Sequence, residues 1–399
     1  MRILLVADGR SPITRNWIRM IGGLGYQVVL LSTFPHKPIL DVKEQFTLPV
    51  GFSAIAGSQV KNKGQGKPSR ISMVVALFRP LLMRIRAFLT PVLIPRYQVR
   101  FLEYVKKIKP DIVHALRIPF EGMLAEALPE GIPLIVSIWG NDLTLHAKTT
   151  KLMALRTSET LARADGLMAD AACDIQLAEK MGLRESIPNI VLPGSGGLDL
   201  GVISTIANDS SAGKYGIPVN VPLIVNPRGF RPGSVHQDVF FQSIPFILEE
   251  VPEAYFVCTG MRDQPQAEKW LRHYEINSSV SLLPFIPQEE LWALYSNADV
   301  YMSLSSHDGT PNSFLEAIAC GCFPVVGNIP SLREWIDHGK NGLLVEPRDA
   351  RAAADAVISV LRDKNLRERA AVINQGIIAD RVDIQKVKQI VQNFYKQFI

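Results

Sequence analysis

Two acids suggest what chemistry this chain can do. Asp308 and Glu316 are separated by seven residues in Asp308-Gly-Thr-Pro-Asn-Ser-Phe-Leu-Glu316. Asp308 reads as a loop residue and Glu316 as part of the helix that follows. Pro311 suits a helix start, Asn312 or Ser313 can cap it, and Phe314, Leu315, Ile318 and Ala319 form a stripe for burial. A helix start aims unpaired N–H groups and a partial positive charge forward, so the amides of Ser313 and Phe314 can cradle a phosphate. Ionised carboxylates only accept hydrogen bonds, so beside an anion site they call for a ligand that also carries hydroxyls. A sugar joined to a diphosphate meets both demands. The competing reading is a capping box, Ser313-Phe-Leu-Glu316, in which Glu316 merely closes the helix end.

The elements that would hold these residues form two cycles. In the first, Ile3–Val6, Val28–Ser32, Ile112–His114 and Leu134–Trp139 read as strands with helical stretches between them, starting with Thr14–Gly22. The second runs through Leu223–Val225, Ala254–Thr259, Val280–Leu283, Val300–Leu304 and Phe323–Val326, with a helix over Gln288–Asn297. Alternating strands and helices predict parallel, doubly wound sheets, whose ligands bind in the crevice outside the strand ends. Leu192-Pro-Gly-Ser-Gly-Gly-Leu-Asp199 and the polar stretch Asn208–Gly216 read as the linker. Within it, Gly194-Ser-Gly-Gly197 opens no helix at dinucleotide spacing, and no G-x-G-x-x-G follows the first strand, so a nicotinamide dehydrogenase is a poor reading.

Beyond Glu316, Phe323-Pro-Val-Val-Gly-Asn-Ile-Pro-Ser-Leu-Arg-Glu334 and Asn341-Gly-Leu-Leu344 read as strand, loop, short helix, turn and strand. The acid-x7-acid motif, Glu-Ala-x-Ala-x-Gly from Glu316, Arg333-Glu334 and Asn341-Gly-Leu-Leu together resemble the donor-binding half of the retaining glycosyltransferases of family 4. The match runs over roughly residues 221 to 375. It implies the GT-B fold: α/β, with two doubly wound Rossmann-like domains facing a central cleft. Residues 1–200 would form an acceptor-side domain and 201–376 a nucleotide-sugar-binding domain, with a C-terminal helix over 377–399 crossing back to the first.

The resemblance also assigns roles. Asp308 would touch donor sugar hydroxyls, one methylene shorter than the family's usual Glu, and Glu316 would hold the ribose. Arg228, in Asn226-Pro-Arg-Gly-Phe-Arg-Pro-Gly233, matches the arginine that grips the diphosphate. The family's following lysine is absent, with His236 and Gln237 nearest its place, so Arg231 is expected to share the clamp. Leu283–Ile286 is a plausible backbone rim for the nucleobase. Gly9 and Ser11 stand at the first loop, near the donor phosphate. Ser137-Ile-Trp-Gly-Asn-Asp142 resembles the family's His-Gly-x-Asp segment, with Trp139 in place of the histidine. Trp139, Asn141 and Asp142 are therefore acceptor-side candidates. His114 is another, against the reading of a hydrogen-bonded core histidine. Such enzymes are thought to let the departing phosphate take the acceptor proton on the same face.

Composition agrees with a globular protein: 399 residues, 47% apolar and 20% charged. The first apolar run, Ile3–Ala7, is too short for a signal-peptide core, and no stretch reads as a membrane span. Cys173, Cys258, Cys320 and Cys322 suggest no disulfide framework and a reducing cytoplasm. Neither Cys320-Gly-Cys322 nor the scattered histidines offer metal-ligand spacing, so neither cofactor nor metal is expected. From Lys61 to Lys109 there are twelve Lys or Arg residues and one acid, Glu103, in a chain with net charge of only +5. Interleaved apolar residues make residues 61–109 a candidate for an anionic membrane surface, with a glycan or lipid-linked acceptor. No nucleic-acid recognition motif accompanies the charge. The reading is a retaining hexosyltransferase of cell-surface glycan or glycolipid assembly, cytoplasmic and peripheral on the inner face of the plasma membrane. The alternatives are a GT-B sugar-nucleotide epimerase and a catalytically silent GT-B binding partner.

Overall fold

A computed structural model describes residues 1–51, 53, 79–206 and 215–399, with the backbone alone for 79–87. The basic stretch over 61–78 and residues 208–214 of the polar stretch lie outside the described residues. The chain divides into two compact units, Met1–Gly196 with Lys388–Ile399, and Gly197–Val387.

The first unit is built on seven strands: β1 (Arg2–Ala7), β2 (Gln27–Ser32), β3 (Glu44–Thr47), β4 (Ile112–Ala115), β5 (Leu134–Ile138), β6 (Gly166–Ala169) and β7 (Asn189–Val191). Their order is β3-β2-β1-β4-β5-β6-β7, and every pairing is parallel. Parallel strands covered by helices on both faces are apolar along their length, and Ile3–Ala7 is buried throughout. Leu4, Val6, Val113, Ala115, Leu134 and Val136 point to one face, where Phe101, Val105 and Leu161 cover them. The opposite face carries His114, against Trp17 and the C-terminal Tyr395.

The second unit has six parallel strands: β8 (Leu223–Asn226), β9 (Tyr255–Cys258), β10 (Val280–Leu282), β11 (Val300–Ser303), β12 (Phe323–Gly327) and β13 (Leu343–Val345). Their order is β10-β9-β8-β11-β12-β13. Ile224, Phe256, Val300 and Met302 enter one apolar cluster, while Leu223, Val225, Val257 and Tyr301 enter another on the opposite face. Strand order reverses between β1 and β4 in the first sheet and between β8 and β11 in the second. A crevice opens where the loops after such strands part, and Arg228 and Asp308 in the second unit and Ser11 and Trp139 in the first stand at these points.

Candidate functional site

In the second unit, β8 ends in Asn226-Pro-Arg228 and β11 runs on to Asp308. Arg228 Nη2 forms an ion pair with Asp308 Oδ2, their side chains 5% and 17% exposed. Nη1 of the same guanidinium donates to Ser313 Oγ at 3.3 Å, and Tyr301 Oη lies 3.1 Å from that oxygen. Arg228, Asp308 and Ser313 are thus brought together. The Nε of Arg228 is buried with no hydrogen-bond acceptor among the described residues. The turn bearing it is fixed from behind: Asn226 Oδ1 accepts from the Arg228 amide at 3.2 Å, and Gln237 Nε2 donates to the Gly229 carbonyl at 2.7 Å.

Gln237 therefore braces the turn instead of replacing a lysine. His236 lies 2.5 Å from Ser306 Oγ through Nε2, and burial pushes its imidazole below the ordinary value, so it brings no fixed charge at neutral pH. Arg231 remains as the second cation. It is exposed, its Nε donates to the Arg228 carbonyl at 3.2 Å, and the charge of Arg228 lowers its pKa.

The helix Asn312–Ala319 starts differently from expectation. Pro311 holds the N-cap position, and no side chain caps the helix. The Phe314 amide donates to the Pro311 carbonyl at 3.0 Å, which removes it from a phosphate cradle and leaves the helix start to Asn312 and Ser313. Glu316 does not close a capping box. Its Oε1 accepts instead from Gln288 Nε2 at 2.7 Å, on the neighbouring helix Gln288–Ser296. Glu316 is 7% exposed, and burial pushes its carboxyl up to about 7.

Phe285 is a residue that sequence reasoning did not single out within the Leu283–Ile286 rim. Its ring is 82% exposed, yet it rests on the turn after β9: a Cβ on Gly260 would meet it at 2.7 Å. Gly260 has φ +70°, so both its conformation and the ring require glycine. The Leu283 carbonyl accepts from the amides of Met261 and Arg262. An exposed aromatic face on a braced turn is a platform for a flat ring.

In the first unit, a cavity of about 240 Å³ opens at the reversal between β1 and β4, lined by Asp8, Arg10, Ser11, Arg117, Glu121 and Trp139 among others. Gly9 is buried beside it. Its amide donates to Ser32 Oγ at 3.0 Å, and an added Cβ would meet the His36 ring at 2.7 Å. The Ser11 amide donates to the Asp8 carbonyl at 3.0 Å. The Gly9 amide is thus taken by β2 and the Ser11 amide by its own loop, so neither is left for a phosphate; the Ser11 side chain lines the cavity.

Trp139 also lines it, with the Arg117 guanidinium 5.3 Å from its ring centroid. Asn141 is half-buried at the start of the same segment. Asp142 does not face an acceptor: it is fully buried, and its carboxylate takes Arg117 Nη2 at 2.5 Å. Nor does His114 reach the cavity. It sits inside β4 with its side chain on the face opposite Val113 and Ala115, its ring nitrogens 2.7 Å from Tyr395 Oη and 2.9 Å from Ser137 Oγ. Burial lowers its pKa to about 3, so it is a neutral core histidine. Among the described residues, no three His, Cys, Asp or Glu side chains converge as a metal set. Among the same residues, no helix is long and apolar enough to cross a membrane.

The chain is similar to the Anabaena protein Alr3699/HepE, solved in complex with UDP. The two superpose over 100% of both chains with a TM-score of 0.72 at 14% identity. That likeness shows the fold, which is GT-B. In sequence, the chain is 31% identical over 137 residues to D-inositol 3-phosphate glycosyltransferase of Corynebacterium urealyticum, covering 32% of each. It is 30% identical over 165 residues to N-acetyl-alpha-D-glucosaminyl L-malate synthase of Bacillus anthracis, covering 39% of this chain and 42% of that protein. The chain thus spans less than half the length of these curated relatives. Residues 211–375, which hold Arg228, Asp308, Ser313 and Glu316, match the family described as glycosyl transferases group 1, so the chain carries a group 1 glycosyltransferase domain.

Proposed function

We propose that the protein is a retaining glycosyltransferase of family 4 that moves a hexosyl group from a nucleotide-diphosphate sugar to an acceptor hydroxyl, without a metal, in glycan or glycolipid assembly. The observation that carries the reading is Arg228, a buried guanidinium with an orphan Nε, held between Asp308 and Ser313 on a group 1 glycosyltransferase domain. A diphosphate supplies the acceptor atoms that the guanidinium and the nearby helix start lack. Glu316, backed by Gln288, takes the ribose hydroxyls, and Phe285 takes a face of the base. Asp308 faces the sugar.

In the reaction, the acceptor oxygen bonds to the anomeric carbon as the bond from that carbon to the phosphate oxygen breaks. The acceptor proton passes to the departing diphosphate on the same face, so configuration is kept. Arg228 and Arg231 stabilise charge as it grows on the leaving group. Alr3699/HepE, solved with UDP, supports a nucleotide donor, and the inositol phosphate glycosyltransferase supports a hydroxylated acceptor. A panel of nucleotide sugars tests the reading: one should raise the melting temperature and be slowly hydrolysed to its nucleoside diphosphate. No stabilisation by any nucleotide sugar or nucleoside diphosphate overturns it.

We further propose that the protein works cytoplasmically on the inner face of the plasma membrane. On the helix Arg79–Ile108, Phe88, Val92 and Val99 are exposed at helical spacing, with exposed Arg96 and Arg100 beside them.

A further inference from the structure

Tyr301 carries a hydroxyl that packing alone does not call for. It lies on β11 with no exposed surface, in the apolar cluster of the second unit that also holds Tyr295, Phe314 and Trp335. Its ring meets those of Phe314 and Tyr295 edge to face, with centroids 6.2 and 6.3 Å away. A phenylalanine would fill the same space. A buried phenol needs a hydrogen-bond partner, and this one has it at the edge of the cluster: Tyr301 Oη lies 3.1 Å from Ser313 Oγ, on the second residue of the helix Asn312–Ala319.

Ser313 is held from two sides. Arg228 Nη1 donates to its Oγ at 3.3 Å, and a guanidinium only donates, so one of the two lone pairs is taken. One lone pair and one proton remain, and Tyr301 engages one of them. Arg228 and Tyr301 are buried while Ser313 is half-buried, so its third direction is the one open to a ligand. If Ser313 donated to Tyr301, it would present a lone pair there; if Tyr301 donates, Ser313 presents its proton. The phenol is the more acidic of the two hydroxyls and so the better donor. A diphosphate favours the same direction, because its oxygens accept hydrogen bonds and repel a lone pair. Ser303, 2% exposed, is within reach to supply the Tyr301 oxygen with a donor in turn.

We infer that Tyr301 is a positioning residue for the donor: it donates to Ser313 and so turns the Ser313 hydroxyl proton onto the departing diphosphate, beside Arg228 and the amides of the helix start. Tyr301 is buried and does not touch the ligand itself. The inference rests on the transferase reading above and adds to it a side-chain donor whose direction a second residue sets.

Titration calorimetry of the full chain with UDP, GDP, ADP and dTDP tests it, using the nucleotide that the wild type binds most tightly. Ser313→Ala should weaken that nucleotide by about tenfold, the effect of losing one hydrogen bond to a charged group. Tyr301→Phe keeps the ring and should weaken it by about fivefold, because Ser313 keeps its proton but not its direction. The double variant should bind no worse than Ser313→Ala, since Tyr301 acts only through Ser313; a merely structural role would make the two losses multiply. Ser313→Thr, which retains the hydroxyl, should restore binding and with it the sensitivity to Tyr301→Phe. Wild-type affinity in Tyr301→Phe, or losses that multiply in the double variant, overturns the inference. So does wild-type affinity in Ser313→Ala, whether or not any Tyr301 variant folds. In each of these outcomes the wild type still binds its nucleotide and the transferase reading stands, whereas a wild-type chain that binds none of the four overturns both.

Discussion

Arg228 and Asp308 close an ion pair across the reversal point of the second sheet, joining the loop after β8 to the loop after β11. The pair gives Asp308 a second duty. Besides the sugar contact proposed for it, Asp308 neutralises a guanidinium whose side chain is 5% exposed. Removing one partner of a buried pair leaves the other charge uncompensated and costs on the order of 3 kcal/mol. Asp308→Ala should therefore lower both the melting temperature and turnover, whereas Arg228→Ala should weaken nucleoside diphosphate binding by about tenfold or more. Calorimetry beside a turnover assay checks this. Asp308→Ala with wild-type melting would show that the pair does not hold the fold.

Glu316 should make the protein sensitive to pH near neutrality. An ordinary glutamate titrates at about 4.3, and burial puts this one at about 7. Between those values the folded chain holds a proton that the unfolded chain has released, so stability falls as pH rises through the window and levels off above it. In the proposed site ribose hydroxyls would donate to the ionised form, so nucleotide binding at pH 6.5 should release a proton. Titration calorimetry in buffers of different ionisation enthalpy reads that release, and Glu316→Gln should abolish it. Equal binding heats for the wild type across the buffers would remove Glu316 from the ribose site.

The second unit was far more legible in the sequence than the first. Its strands are short Val, Ile and Phe runs between Gly, Pro and Asn, and β8 to β13 fall where those runs predict. In the first unit β3, β6 and β7 escaped notice. Glu44-Gln-Phe-Thr47 has one large apolar residue, Gly166–Ala169 opens on glycine, and Asn189–Val191 is three residues long. The acid motif led to Asp308 and Glu316 because its spacing is local. Gln288 and Phe285 were missed because their roles come from what the fold sets against them, and Glu121 because only the fold turns it toward the cavity. Glu121 has one signal in retrospect: it is an acid inside the apolar run Ile118-Pro-Phe-Glu-Gly122, which begins three residues after the end of β4. His114 was open to two readings in the sequence. It stood as an acceptor-side candidate against a hydrogen-bonded core histidine, and the second reading holds, because strand alternation sends its ring to the face covered by Trp17 and Tyr395.

Phe285 should contribute to nucleotide affinity and little to stability, because 82% of it is exposed. Stacking of a base on an aromatic ring is worth roughly 1–3 kcal/mol. Phe285→Ala should weaken the nucleoside diphosphate by about tenfold and leave the melting temperature near that of the wild type, while Phe285→Tyr should restore binding. Unchanged affinity in the alanine variant would exclude the ring as the base platform.

The helix Arg79–Ile108 makes the membrane proposal testable with residues whose exposure is known. Phe88 is 60% exposed, Val92 54% and Val99 62%, at spacings that put them along one side of a helix. Arg96 and Arg100 lie beside them, and each basic residue near an anionic surface contributes about 1 kcal/mol. The wild-type chain should sediment with vesicles of mixed anionic and neutral phospholipid at low salt and be released as salt rises. Arg96→Glu with Arg100→Glu should reduce sedimentation several-fold. Phe88→Ser with Val92→Ser should reduce the fraction that resists salt, because apolar insertion is not screened. If the wild-type chain remains in the supernatant at low salt, the stripe does not bind lipid and the acceptor is a soluble glycan.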